Sequence, residues 1–279
     1  MKKNVVEVQH FLSDQAGQGK AENTVTTYRR IMKAFCHWVD RNGGGLTELT
    51  RYDIQAYIKA LEKEGKSAST VDKIYACIRV YARFIQRPDI VDHIRRIKPQ
   101  NNRQAAPKSL ENLEIKRLKR EVEKDCNKRD IAIVYLLLET GVRVSELCSL
   151  NRTDVVVQER SGVMKVRNGK GGKERMIPLS RECRYHIVQY LQVRQDDEVS
   201  LFLSNQNIRL SVRAVQHMLK KYGTHPHALR HTFARRLVAE GIDISTIAEL
   251  TGHSDINMTR RYSKPSQAEL AEAIERAFI

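Results

Sequence analysis

The helical periodicity of this 279-residue chain is lost between Arg95 and Pro107. There the segment IKPQNNRQAAP has no apolar stripe and carries Pro99 and Pro107, which marks an exposed connection between two folded parts. Each side must then bury a core of its own. The expected division is a helical domain over residues 1–96, a linker over 97–108 and a second domain over 109–279. A hydrophobic content of 41% suffices for two such cores.

The first part reads as helices throughout. Val5, Val8, Phe11 and Leu12 fall at helical spacing within residues 4–16. Asn23 is an N-cap candidate for a second helix whose stripe is Val25, Tyr28, Ile31, Met32, Phe35, Trp38 and Val39, stopped by Gly43–Gly45. A third runs from about Arg51 to Glu64 with Ile54, Tyr57, Ile58 and Leu61 inward, and a fourth opens near Ser67 or Ser69. These stripes are core positions. The opposite faces carry Thr24, Thr27, Arg30, Lys66, Ser69, Thr70, Lys73 and Arg79, ordinary surface residues singly and a basic face together.

The second part mixes elements. A helix is expected from Ser109 or Leu110 to about Val122. The run RDIAIVYLLLE, from Arg129 to Glu139, reads as a buried helix stopped at Gly141. Another starts at Arg143, with Glu146 one turn on. Strand character follows at Val155–Val157, Val163–Val166 and Met176–Leu179, with residues 168–173 (NGKGGK) as the turn between the last two. That turn is not a nucleotide-binding loop, because Glu174 stands where a P-loop needs Ser or Thr. Glu182–Leu191 and a segment capped by Ser211 complete the helices before residue 225.

Charge narrows the partner. The chain has 49 Lys and Arg against 33 Asp and Glu, a net charge of +16. The excess is +7 through Lys98 and +9 beyond it, so both parts are basic and a polyanion held from two sides is the natural partner. Five cysteines (Cys36, Cys77, Cys126, Cys148, Cys183) show no paired spacing, as expected of reduced thiols in a cytoplasmic protein. The start, MKKNVVEVQHFL, is interrupted by Glu7 and Gln9 and suits neither a signal peptide nor a membrane span.

The stretch from His225 to Tyr262 concentrates the chemistry. Pro226 suits a first helical residue and Gly241 a stop, so His227 to about Glu240 should be helical. His227, Arg230 and His231 then share one side, with Phe233, Leu237 and Val238 turned to a core. Unpaired N–H groups and the positive dipole end of the first turn make this a phosphate site. His227 and His231 lack the intervening glutamate of H-E-x-x-H, so no metal site is expected. His231 suits a structural role.

Together TGVRVSEL (140–147), GKGGKER (169–175), HALRH (227–231), LTGHS (250–254) and Tyr262, nine residues after His253, resemble the tyrosine recombinases, or phage integrase family. The order and spacing match over 108–279, and the first domain is similar to the family's core-binding domain. The chain begins almost directly with those helices, which makes it similar to the simpler Xer-like recombinases and transposon resolvases rather than to members with an arm-binding module. One position departs: Lys264 stands where members often carry a histidine.

The resemblance implies a mainly α architecture, a four-to-five-helix core-binding domain followed by an α+β catalytic domain with a small antiparallel sheet. It implies site-specific DNA recombination through a 3′-phosphotyrosyl intermediate and a Holliday junction, without metal, ATP or other cofactor. Tyr262 matches the nucleophile, Arg143 and Arg230 the phosphate-binding arginines, Lys170 the leaving-group acid, His227 the general acid/base and His253 a phosphate hydrogen-bond donor. Lys173, in the same turn, is the alternative to Lys170. The implied partner is double-stranded DNA with inverted half-sites, two protomers per site and a homotetramer in the synapse, with a second recombinase or accessory protein left open and no membrane. A terminal helix at about 266–278 is expected to be exchanged between protomers. A type IB topoisomerase and a non-catalytic architectural DNA-binding factor are the competing readings.

Overall fold

The computed structural model describes residues 2–97, 109–167, 174–252, 259 and 274–275. They form two compact units, Met1–Asn102 and Arg103–Ile279.

The first unit holds four helices, α1 (Lys2–Gly17), α2 (Glu22–Arg41), α3 (Arg51–Lys63) and α4 (Ala68–Phe84), then a 3-10 turn at Pro88–Val91. Their stripes meet around Phe11, Met32, Phe35, Ile54, Ile58, Ile78 and Tyr81, all wholly buried, with Phe11 edge-on to Tyr81 at 5.4 Å. Thr50 caps α3 by accepting from Asp53 N, and Ser67 caps α4 by accepting from Thr70 N. Asn23 does not cap α2, which begins at Glu22 after Ala21 with no side-chain cap. The acid in its first turn complements the dipole there.

Where the linker is expected to begin, the chain is still bound. Ile90, Val91 and Ile94 join the core. Arg96 pairs with Asp72 at 2.9 Å and lies 4.1 Å over the Tyr75 ring, and Ile97 N donates to Glu62 at 2.8 Å. The lost periodicity at Arg95–Ile97 thus reflects side-chain tethering of an extended backbone, which leaves no repeat to read. The remainder of the expected linker, 98–108, lies outside the described residues.

In the second unit the described helices are α5 (Asn112–Lys124), α6 (Lys128–Thr140), α7 (Val144–Ser149), α8 (Arg181–Gln192), α9 (Val212–Lys221), α10 (Pro226–Ala239) and α11 (Ile244–Thr251). Between α7 and α8 a meander of β1 (Val155–Val157), β2 (Gly162–Val166) and β3 (Arg175–Pro178) forms an antiparallel sheet in that order. Met164 is the register point, opposite Val155 on one side and Ile177 on the other. Nine of the thirteen residues of α6 are buried, so it is the central helix of this unit. Around it pack α5, α8 and α10. The opening of α5 falls two to three residues later than its periodicity suggests. Leu110 N donates to Thr232 Oγ1 at 2.8 Å, holding that segment extended, and the first helical turn closes when the Glu114 carboxylate accepts from Glu111 N.

Candidate active site

Two helix ends and two helix starts make the site. Pro226 opens α10, and the residue before it supplies the cap, His225 Nδ1 accepting from Ala228 N at 3.2 Å. His227 lies on the first turn with its side chain exposed. Arg230, one turn further, faces inward and is only 5% exposed. Its Nη1 donates to Gly141 O at 2.5 Å and its Nη2 to Thr251 O at 2.6 Å.

Both acceptors are helix C-terminal carbonyls. Gly141 ends α6 with φ of 60° and Gly252 ends α11 with φ of 66°, left-handed turns that glycine makes without strain. The negative dipole ends of α6 and α11 therefore offset a buried guanidinium that would otherwise be costly to desolvate. Close approach also demands the first glycine, because a Cβ at 141 would stand 2.3 Å from Phe233 Cδ1 of α10.

Arg143, at the start of α7, reaches the same place from the other side. Its Nη2 donates to Gly252 O at 2.8 Å and its Nη1 to Glu146 Oε1 at 2.8 Å, while its own backbone N–H donates to Glu146 Oε2 at 2.8 Å. Glu146 is 4% exposed. A second guanidinium grips it: Arg175 Nη2 at 2.7 Å from Oε2 and Nη1 at 3.1 Å from Oε1, with Nε donating to Leu250 O at 3.0 Å. Leu250, Thr251 and Gly252 thus present three consecutive carbonyls to Arg175, Arg230 and Arg143 in turn.

The electrostatics favour an anion. Burial would raise the Glu146 carboxyl, but the hydrogen bonds and charges of Arg175 and Arg143 outweigh it and hold it below the usual carboxylate range. Three guanidiniums against that single carboxylate leave +2 among these four side chains. The His227 imidazole is held below its ordinary value near 6.5, first by the protein packed under its ring, then by the charges of His225, Arg230 and Arg143. It is neutral at pH 7 and accessible.

Of the residues singled out in the sequence, Arg143, His227 and Arg230 come together here. His231 stacks beside His227 with ring centroids 6.3 Å apart. Lys170, Lys173, His253, Tyr262 and Lys264 lie outside the described residues. Lys170 falls between β2 and β3, and His253 directly follows Gly252. Motif spacing alone gives Arg175 no role. Strand alternation is the available signal: Arg175 and Ile177 share a face, and Ile177 is buried, so an arginine there needs a buried acid. Among the described residues no group of three or more His, Cys, Asp or Glu is placed to hold a metal, and no helix is long and apolar enough to cross a membrane.

A helical unit that gathers guanidiniums and an imidazole between helix ends beside a small antiparallel sheet has the anion-binding groups that a DNA strand-exchange enzyme needs. Known proteins agree. Residues 108–269 match the phage integrase family model, and residues 8–88 match that of the phage integrase N-terminal SAM-like domain. The tyrosine recombinase XerA of Thermococcus kodakarensis is 35% identical over 269 residues, covering 93% of this chain and 91% of its own. A crystal structure of XerA recombinase superposes with a TM-score of 0.54 at 26% identity, covering 98% of each chain. A lambda integrase dimer bound to a COC′ core site shares the fold with a TM-score of 0.71 at 19% identity, covering 91% of this chain and 96% of that one. The chain belongs to the phage integrase family, as an Xer-like tyrosine recombinase that cuts and rejoins DNA at specific sites. Of the readings that the sequence left open, recombination is the one these relatives support.

Proposed function

We propose that this recombinase cleaves one DNA strand with Tyr262, forming a 3′-phosphotyrosyl bond and releasing a 5′-hydroxyl. The observation that carries the reading is the +2 cradle in which Arg143 and Arg230 are fixed on the carbonyls of Gly252 and Thr251, immediately before His253. A phosphodiester carries one negative charge, and attack by a phenolate brings a second. The cradle matches that sum. Guanidiniums stay charged and offer fixed forks to the non-bridging oxygens, and a preorganised donor of this kind contributes about 3–4 kcal/mol of transition-state stabilisation.

In the step itself the Tyr262 oxygen bonds to phosphorus as the P–O5′ bond breaks. His227, neutral and accessible, takes the phenolic proton; Lys170 gives a proton to the departing O5′; His253 donates to a phosphate oxygen. The ester bond is conserved in the phosphotyrosine, so a 5′-hydroxyl from a second strand reverses the attack and rejoins the DNA without ATP. Two rounds give and then resolve a Holliday junction. This requires two protomers on inverted half-sites and four in the synapse, with the segment 266–278 exchanged between neighbours. Work on chromosomal DNA would place the protein in the cytoplasm, where its five cysteines, free in the structure, stay reduced.

The test is covalent trapping on a pool of duplexes with bridging phosphorothiolates or nicks, wild type against Tyr262→Phe, followed by sequencing of the trapped DNA. A 3′-linked adduct that disappears in the variant is the expected result, and it delivers the recognition site. DNA binding with no adduct across the pool would overturn the assignment of Tyr262.

A further inference from the structure

Arg175 is bound to the same Glu146 and the same helix end that hold Arg143 in place. It is the first residue of β3 and follows directly on the segment that carries Lys170. Its side chain is 9% exposed. Three of its nitrogens are engaged, two on Glu146 and one on Leu250 O. Its guanidinium also lies against Gly252 so closely that a Cβ there would stand 2.8 Å from Nη1. One planar group therefore sets both supports of Arg143, the carboxylate that accepts from its Nη1 and the carbonyl that accepts from its Nη2.

We infer that Arg175 is a positioning residue for DNA cleavage, aligning Arg143 through Glu146 and fixing the 250–252 turn on which Arg143 and Arg230 both rest. The inference builds on the role given above to Arg143. A lysine at 175 supplies the charge that Glu146 needs and thus the main stabilising contribution of a buried pair. It has no planar fork, so it cannot hold both carboxylate oxygens and Leu250 O together. Arg175→Lys separates charge from alignment.

The measurement is single-turnover cleavage by the full chain at saturating protein, on the site recovered by trapping, with active protein counted by DNA-binding titration. Misplacement of a catalytic group by an ångström costs about 100-fold in rate, and Arg175→Lys is expected to lose rate on that scale while DNA affinity stays at the wild-type value. A duplex with a neutral methylphosphonate at the scissile position gives the second readout. With no charge for Arg143 to meet, a defect acting through Arg143 shrinks, whereas a general loosening of packing costs the same factor on both substrates. Gly252→Ala, which pushes the Arg175 guanidinium without removing a charge, should reproduce the pattern and serves if the lysine variant fails to fold. Wild-type cleavage by Arg175→Lys, or an equal loss on both substrates, would overturn the inference. If Arg143→Lys and Tyr262→Phe themselves cleave normally, the underlying site assignment has failed instead, and that outcome is visible in the same assay.

Discussion

At His227 the fold keeps an imidazole neutral in a place that gathers positive charge. Its pKa lies below the ordinary 6.5 because protonation there is opposed by the packed ring face and by three neighbouring cationic or protonatable groups. Between that lowered value and about 6.5 the unfolded chain binds the proton and the native one does not. The native state therefore gains stability from His227 above about pH 6.5 and loses it as pH falls through the folded value. On the proposed seating of a phosphodiester against Arg143 and Arg230, DNA reverses the field by adding negative charge beside the ring. In an NMR titration of Tyr262→Phe, the His227 ring should titrate below 6.5 in the free protein and shift upward in the DNA complex. An unchanged value on binding would mean that the phosphate sits away from His227, and the base role would go with it.

Among the elements, the contact between α6 and α10 is the one on which the site depends. Phe233 of α10 packs against the bare Cα of Gly141, and Arg230 of the same helix donates to the Gly141 carbonyl. Gly141→Ala forces a left-handed backbone on alanine, about 1–2 kcal/mol, and drives a methyl into the Phe233 ring, about 1–3 kcal/mol more. Denaturant unfolding should show a loss of about 2–5 kcal/mol, the sum of those two costs, whereas Gly241→Ala, with nothing within 4 Å of its Cβ, should lose only the backbone part. These elements are largely legible in the sequence. The apolar run of α6, its glycine stop, the Pro226 start and the Ser67 and Ser211 caps are local signals with local causes. The starts of α2 and α5 differ from the sequence reading: α2 opens at Glu22, one residue before Asn23, and Leu110 N is tied to Thr232, 122 positions away, before α5 begins. For the site, residue types at motif spacing identify Arg143, His227 and Arg230. What spacing alone does not contain is the arrangement behind them: three arginines on consecutive carbonyls and one buried glutamate shared by two of them, contacts that join α7, β3 and α11 across more than a hundred positions.

At the scale of the whole molecule, the charge of +16 is divided between the two units rather than collected in a tail. If both meet the duplex, affinity is governed by counterion release, and each phosphate neutralised contributes about −0.9 to the slope of log K against log salt. In the second unit the cradle of Arg143 and Arg230 is the proposed phosphate contact. In the first unit Arg30, Lys73 and Arg79 are exposed basic residues, none in a salt bridge among the described residues, and so placed to meet phosphates rather than to hold the fold. Replacing the three by glutamine leaves the four-helix core of Phe11, Phe35 and Ile58 untouched. The expected outcome is an unchanged melting temperature and a salt slope shallower by about 0.9 for each phosphate no longer neutralised. The weakening should be the same on specific and random duplexes, because phosphate contacts position a protein without reading sequence. A slope equal to wild type would show that these residues meet no phosphate. A weakening confined to the specific site would mean that they act through base or shape recognition, and the first unit would then carry part of the sequence choice itself.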